Sequence, residues 1–232
     1  MSKDKTSYGQ NFLVSNYVIR SILKAANIKS SDIVLEIGSG RGVLLPLLCQ
    51  KAKKVISIEL DKKLYSFVKL NFSNIDNLIL KNEDGFKKTY TFTVFISNLP
   101  YYRSKIAFEW LSQQKFSHGV IMLQKEFVDK ILHKLTATSV LVHHAFDINP
   151  LMNVDRTNFF PIPNVNSVLI KLVQKRSLSI NTIYSINSFF LNKKLVRNIF
   201  RKYNIKHVTA KNKLNDFQNN KIVEIAKKTR FL

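Results

Sequence analysis

The chain has 232 residues, enough for one sizeable domain and a smaller one. Hydrophobic residues make up 45% of it, with 17 Phe and 8 Tyr, so a packed core is expected and intrinsic disorder is excluded. A net charge of +22, from 37 Lys and Arg against 15 Asp and Glu, favours nucleic acid as a partner over a merely solubilising surface. The single cysteine, Cys49, excludes an intrachain disulfide and a cysteine-rich zinc site, and it suits a reducing cytosol.

Neither a membrane span nor a secretory signal is expected. No uninterrupted apolar run reaches the roughly 18–20 residues that a span requires. Residues 1–5 carry no apolar stretch of the signal-peptide kind, and no lipidation motif is visible. We therefore expect no membrane partner.

The first two-thirds of the chain alternates between strand-like and helix-like segments. Strands are predicted at 33–37, 54–59, 78–80, 92–97, 120–123, 139–146 and 165–173, and helices at 16–26, 43–51, 62–71, 104–113 and 125–133. Such alternation predicts an α/β fold in which helices cover both faces of a parallel sheet.

From about residue 178 the pattern becomes helical and basic, with predicted helices at 183–191, 193–203 and 221–228. Residues 175–232 carry 14 Lys and Arg against 2 Asp and Glu, so the charge excess is concentrated there. We expect a catalytic domain over residues 1–177 and a small basic helical domain over residues 178–232.

A glycine-rich turn follows the first long strand. Gly38, Gly40 and Gly42 alternate with other residues, which allows a tight turn and close approach to a ligand. In an open α/β sheet this turn lies at the crevice where ligands bind. The spacing is not that of dinucleotide-binding folds, and a glycine turn alone is weak evidence for a site.

Carboxylates follow the next two predicted strands. Glu59 lies 21 residues after Gly38, where a carboxylate can accept both hydroxyls of a ribose. Asp84 follows the third strand, where it can receive an adenine amino group. Each could instead be a solvent-exposed strand end or a helix cap. Taken together, the three strand ends have the pattern of an S-adenosylmethionine pocket, and no His, Cys, Asp and Glu cluster predicts a metal.

The fourth strand runs into Asn98-Leu99-Pro100-Tyr101-Tyr102. An amide can satisfy the amino edge of a nucleobase and an aromatic ring can stack on its face. Asn-x-Pro is also common turn chemistry, so the motif gains its meaning from the strand that precedes it.

Here the chain resembles the ribosomal RNA adenine dimethyltransferase family, which includes the KsgA-type and the erythromycin-resistance-type methylases. The resemblance covers roughly residues 8–173. Seven segments carry it in order: 8–13 (YGQNFL), 35–40 (LEIGSG), 58–61 (IELD), 83–84 (ED), 98–102 (NLPYY), 122–127 (MLQKEF) and 160–167 (FPIPNVNS). The family implies a Rossmann-like, seven-stranded class I methyltransferase sheet, followed here by a small all-α domain.

The resemblance also implies which residues act. S-adenosylmethionine contacts are implied at Asn11, Leu13, Gly38, Gly40, Glu59, Asp84 and Asn98, and target-base and catalytic contacts at Asn98, Leu99, Pro100, Tyr101 and Phe160. The loop at 133–138 is shorter than in the family and lacks its Gly and Tyr, which puts RNA contacts there in doubt. The C-terminal domain is also short for the family.

The implied reaction is N6,N6-dimethylation of adenine in ribosomal RNA. Residues 190–198 resemble a helical motif of the small-subunit group, F-x-x-x-K-x-x-R-N, which favours small-subunit over large-subunit RNA. We expect Lys193, Lys194, Arg197 and Arg201 to bind RNA phosphates, in a cytoplasmic monomer that acts on ribosomal RNA or on a small-subunit precursor.

Three other functions remain open from the sequence. One is a large-subunit methylase of the erythromycin-resistance type. Another is a non-catalytic RNA-binding or transcription factor on the same fold, although no cofactor motif is damaged here. A DNA adenine methylase would more typically carry Asp-Pro-Pro-Tyr or Asn-Pro-Pro-Tyr, whereas position 99 is Leu.

Overall fold

A computed structural model describes residues 10–202 and 216–228. The strands are β1 (Phe12–Leu13), β2 (Ile33–Ile37), β3 (Lys54–Ile58), β4 (Leu78–Lys81), β5 (Val94–Asn98), β6 (His118–Gln124), β7 (Phe146–Val154), β8 (Phe159–Phe160) and β9 (Ser167–Gln174). The helices are α1 (Asn16–Ala26), α2 (Leu45–Cys49), α3 (Lys62–Phe72), α4 (Ser104–Leu111), α5 (Lys125–His133), α6 (Ala137–Ala145), α7 (Ile180–Leu191), α8 (Lys193–Lys202) and α9 (Asp216–Lys228).

Seven strands form one sheet in the order β4-β3-β2-β5-β6-β9-β7, and β1 pairs with β8 in a separate two-stranded ribbon. Strands β2 to β6 are parallel where they pair, so their carboxyl ends meet at one edge. The strand order reverses between β2 and β5, which is the point where α/β sheets bind ligands. The predicted sheet of seven strands is confirmed, but it is mixed, because β9 runs antiparallel to β6.

The chain divides into two compact units. Of the described residues, the first comprises 10–104, 115–125 and 149–173, and it contains the carboxyl edge of the parallel strands. Its core is built from strand residues such as Val34 and Val94 and from the apolar face of α1. Ser15 caps the first turn of α1, and Asn27 ends the helix in a left-handed conformation.

The second unit comprises, among the described residues, 105–114, 126–148, 174–202 and 216–228. Helices α6, α7 and α9 pack against one another there. Phe108 is buried between Phe127 and Phe146, with ring centroids 5.9 and 6.1 Å away. The predicted C-terminal helices are found within the described residues, while Tyr203 at the end of one prediction lies outside them.

The strand predicted at 139–146 is wrong. All of those residues except Phe146, the first residue of β7, belong to α6, which begins with a capping box between Thr136 and Ser139. The run is buried on nearly every side, and periodicity does not distinguish a buried strand from a buried helix over so few residues. The strand lies one element later, in β7, where Asp147 and Pro150 mask the signal.

Candidate active site

The glycine turn after β2 lies over the carboxyl edge of the sheet. Gly38 and Gly40 have φ values of 85° and 57°, a region that favours glycine. Gly38 N–H donates to the Ile58 carbonyl at 2.8 Å, which ties the turn to β3. A Cβ on Gly40 would lie 3.2 Å from the Phe12 ring, so the turn also needs glycine because β1 packs closely on it.

Glu59 follows β3 and is 6% exposed. Its two carboxylate oxygens accept hydrogen bonds from Gly40 N–H and Asp61 N–H, both at 2.9 Å. Burial raises the pKa of Glu59, and the two backbone donors oppose that effect. The carboxylate is therefore held rigidly, and each oxygen keeps a second lone pair with which to accept from a ligand.

Glu36, which the sequence reasoning did not assign to the site, lies beside Glu59. It is 2% exposed and accepts a hydrogen bond from the Ser57 hydroxyl at 2.8 Å. Burial raises the pKa of Glu36 to about 7; the Ser57 bond opposes the rise, and nearby Glu59 adds to it. The buried Glu36 carboxyl thus titrates near neutral pH, next to the residues that the sequence predicts to contact the cofactor.

A cleft opens at this edge. The glycine turn, Glu36, Glu59 and the end of β5 form one part of its wall, and residues 10–13 form another. The Asn98 amide nitrogen donates to the Asn11 carbonyl at 3.4 Å. Within residues 10–202 and 216–228, the Asn98 side-chain oxygen accepts no hydrogen bond, so it can accept one from a ligand.

A second depression shares Gln10, Gly38, Glu59, Leu99 and Pro100 with the first. Its apolar walls come from Ile37, Ile58, Leu60 and Phe86. One polar edge is Asp84, whose Oδ1 accepts from the Arg103 guanidinium at 2.6 Å and from Phe86 N–H at 3.1 Å.

Asp84 is mostly buried, with 16% of its side chain exposed. Burial by itself raises the pKa of Asp84, but the hydrogen bonds from Arg103 and Phe86, with the positive charges of Arg103 and Lys87, lower it overall. The carboxylate stays ionised well into acid.

The loop after β5 is also constrained. Leu99 is buried, and Arg103 N–H donates to the Pro100 carbonyl at 2.9 Å, which closes a short turn. The Tyr101 hydroxyl lies 2.9 Å from the hydroxyl of the buried Ser167. This bond fixes the Tyr101 ring at the cleft wall.

The structure brings nearly all of the predicted cofactor and catalytic residues to these two depressions. Asp84 lines the second depression. Asn11, Leu13, Gly38, Gly40, Glu59, Asn98, Leu99, Pro100 and Tyr101 line the first.

Phe160 lines neither depression. It pairs with Phe12 across the ribbon of β1 and β8, and 58% of its side chain is exposed. Its neighbour Phe159 is 2% exposed and lines the first cleft instead. Side chains alternate along a strand, so only one of the two can face the cleft in this conformation.

Several lining residues were missed by the sequence reasoning, above all Gln10, Glu36, Arg41 and Arg103. Arg41 lies within the glycine turn, with its guanidinium 4.7 Å from the centre of the Phe12 ring. The position of Arg41 between Gly40 and Gly42 is the sequence feature that could have identified it as a lining residue. No sequence feature identifies Arg103, because its partner Asp84 is 19 residues away.

The predicted RNA-binding residues lie on α8, in the second unit. Lys193, Arg197 and Arg201 are exposed, while the side chain of Lys194 lies outside the described part of the chain. In the same described ranges, no group of three or more His, Cys, Asp or Glu side chains could hold a metal ion, and no helix is long and apolar enough to cross a membrane.

The strand order, the glycine turn and the carboxylates at successive strand ends define an α/β methyltransferase fold. A dimethyladenosine transferase from Plasmodium falciparum matches with a TM-score of 0.72 at 27% identity, over 94% of this chain and 98% of that one. The 23S rRNA methyltransferase ErmE shares the fold with a TM-score of 0.70 at 20% identity, over 92% and 98%.

Sequence similarity shows to which family of α/β methyltransferases the chain belongs. Residues 1–185 match the family described as ribosomal RNA adenine dimethylase. Proteins named ribosomal RNA small subunit methyltransferase A are similar: that of Malacoplasma penetrans is 36% identical over 79% of this chain and 71% of its own length. The protein of that name from Ureaplasma urealyticum is 35% identical over 86% of this chain and 80% of its own length. The chain belongs to the ribosomal RNA adenine dimethylase family.

Proposed function

We propose that this protein transfers methyl groups from S-adenosylmethionine to the exocyclic amino groups of adenines in small-subunit ribosomal RNA, forming N6,N6-dimethyladenosine. One observation carries the proposal. The Asn98 carboxamide is anchored through its nitrogen to Asn11, with its oxygen left to accept, in the same cleft as Gly38 and Glu59. The family and the names of the similar proteins support the same reaction.

The residues present fit S-adenosylmethionine, which would supply a methyl group on a sulfonium sulfur; the amine nitrogen would bond to the methyl carbon as the carbon–sulfur bond breaks, and S-adenosylhomocysteine would leave. The second depression has apolar walls that suit a purine ring, and Asp84 is the acceptor at its edge. Glu59 lies at the junction of the two depressions, where it would accept the ribose hydroxyls. The glycine turn would bring backbone close to the methionine part of the cofactor.

The amino nitrogen of adenine is a poor nucleophile because its lone pair is delocalised into the ring. Two acceptors that bind its hydrogens would draw it toward tetrahedral geometry and release the lone pair. The Asn98 oxygen is one. The Pro100 carbonyl already accepts from Arg103 N–H, which favours the Leu99 carbonyl as the second. The proton leaves after the nitrogen has become cationic, so no general base is needed.

The target base would stack on Tyr101, whose ring the Ser167 hydroxyl holds in place. Such stacking contributes about 1–3 kcal/mol and offsets part of the cost of extruding a base. Phe160 would close on the other side of the base only after the β1–β8 ribbon moves, because in this conformation Phe159 and not Phe160 faces the cleft. An unpaired loop adenine is the easier substrate.

We propose that the basic C-terminal region, residues 178–232, binds RNA phosphates through α8. Lys193, Arg197 and Arg201 expose their charges on that helix. The protein would work as a cytoplasmic monomer, where its single cysteine stays reduced and where ribosomal RNA is assembled.

The test is methyl transfer in vitro. Purified protein is incubated with labelled S-adenosylmethionine and, separately, with small-subunit RNA, large-subunit RNA and immature small subunits. Nucleosides are then identified by mass spectrometry. We expect N6,N6-dimethyladenosine from the small-subunit substrates alone. Product from large-subunit RNA only, or none from any substrate, would overturn the proposal.

A further inference from the structure

We propose that Arg103 is a positioning residue that fixes the Asp84 carboxylate for the adenine amine of the cofactor. The inference rests on the proposed function and assigns a residue to it that neither the predicted site nor the family resemblance contained. Arg103 is the last residue of the short turn that carries Tyr101, immediately before α4.

Three contacts hold Arg103. Its backbone N–H donates to the Pro100 carbonyl at 2.9 Å, and its guanidinium donates to Asp84 Oδ1 at 2.6 Å. The guanidinium also lies 5.3 Å from the centre of the Phe86 ring. With 19% of its side chain exposed, this arginine is part of the pocket wall rather than a surface charge.

The geometry leaves one oxygen of Asp84 for a ligand. Oδ1 is the acceptor for both Arg103 and Phe86 N–H. No donor among the described residues reaches Oδ2. An aspartate that accepts two hydrogen bonds from the protein through one oxygen has a fixed orientation. Its second oxygen can then accept from an amine without a further loss of side-chain freedom.

The pair also affects protonation. The pKa of Asp84 is lowered overall, and the hydrogen bond and positive charge of Arg103 are part of what opposes the effect of burial, so loss of Arg103 should raise that pKa. An amine donor is best accepted by the ionised carboxylate. Cofactor affinity of a variant without the arginine should therefore weaken further as the pH falls. Other charged or titratable groups face this carboxylate or the same depression: Lys87, Glu83, Tyr90, Glu59 and Asp61.

The experiment measures binding of S-adenosylhomocysteine by calorimetry at pH 7.5 and 5.5. Arg103→Met should weaken binding about tenfold at pH 7.5, the range for a charge-assisted hydrogen bond. Its loss of affinity between pH 7.5 and 5.5 should exceed that of the wild type. Arg103→Lys keeps the charge but not the planar fork, so it should recover only part of the affinity.

Two comparisons separate positioning from general damage. Arg20→Met, which removes an exposed arginine from α1, should bind as the wild type does. In an Asp84→Asn background, adding Arg103→Met should change the affinity less than about twofold, because the shared interaction is already gone.

The outcomes are distinct. If the wild type binds S-adenosylhomocysteine but Arg103→Met matches it within twofold at both pH values, the positioning role is wrong while the proposed function stands. Additive losses in the double variant would also refute the role, since they would show damage that does not act through Asp84. Absence of binding by the wild type would overturn both.

Discussion

The carboxyl edge of the sheet and helix α8 present polar side chains in opposite ways. At the sheet edge, Glu36, Glu59 and Asp84 are largely buried, and each is held by one or more hydrogen bonds. On α8, Lys193 and Arg197 are exposed. We expect the first arrangement to recognise a ligand by the position of its atoms, and the second to attract one by charge. Substitutions in the two regions should therefore differ in both size and salt dependence.

The largest effect is expected at Asn98. Asn98→Ala removes the oxygen that would accept an amine hydrogen, and loss of one such preset partner typically lowers kcat by about 10²–10³. Methylation should be abolished within detection, while S-adenosylhomocysteine binding partly survives because Glu59 and Asp84 are unchanged. Near-normal turnover of Asn98→Ala, measured as methyl incorporation into small-subunit RNA, would disprove its role.

The second effect concerns α8. Replacing Lys193, Lys194, Arg197 and Arg201 together by Ala should weaken RNA binding up to roughly 100-fold at physiological salt. The slope of log affinity against log salt should flatten by about 0.7–0.9 for each phosphate that the variant no longer neutralises. Cofactor binding should not change. Filter binding across a salt series measures both quantities.

A matched control removes equal charge elsewhere. The set consists of four exposed basic residues outside α8, namely Arg20, Lys24, Lys53 and Lys115, each changed to Ala. If this control weakens RNA binding as much as the α8 set does, net charge rather than α8 carries the interaction.

A third prediction uses the buried carboxyl of the sheet edge. Because the folded-state pKa of Glu36 is raised from 4.5 to about 7, the native protein binds the extra proton between those values. Its stabilising contribution is complete below about pH 4.5 and is lost as the pH rises through 7. Between pH 5 and 8 the wild type should lose about 2–3 kcal/mol more stability than Glu36→Gln.

Urea unfolding at the two pH values measures that difference. Asp129→Asn, on the exposed surface of α5, is the control and should follow the wild type. A Glu36→Gln profile parallel to that of the wild type would mean that Glu36 does not titrate in this window.

The smallest effect is expected from loss of the hydrogen bond between Tyr101 and Ser167, which orients a ring of the site. Tyr101→Phe and Ser167→Ala each remove the same hydrogen bond while keeping the Tyr101 ring. A neutral hydrogen bond contributes about 1 kcal/mol, so each variant should lose roughly fivefold in kcat/KM for RNA. Tyr101→Ala should lose more, since stacking is lost as well. Equal losses in all three variants would argue against stacking.

Most of the site could be predicted because its residues follow strands directly. Gly38, Glu59, Asp84 and Asn98 come at or just after the ends of parallel strands, and such ends meet at one edge whatever the loops do. Glu36 lies within the predicted strand 33–37 and the segment 35–40, but nothing in the sequence assigned it a role of its own. Only its contact with Ser57 explains its burial.

The sequence by itself determined the alternation of strands and helices, the order of the motifs and the excess of positive charge, since these depend on local patterns and residue types. The tertiary structure decided the rest. It made residues 139–145 part of a helix, which the sequence could not distinguish from a strand because burial on nearly every side removes the periodicity that separates the two. It directed Phe159 toward the cleft and Phe160 away from it, because side chains alternate along a strand. It also paired Arg103 with Asp84, a contact between residues far apart in sequence that only folding creates.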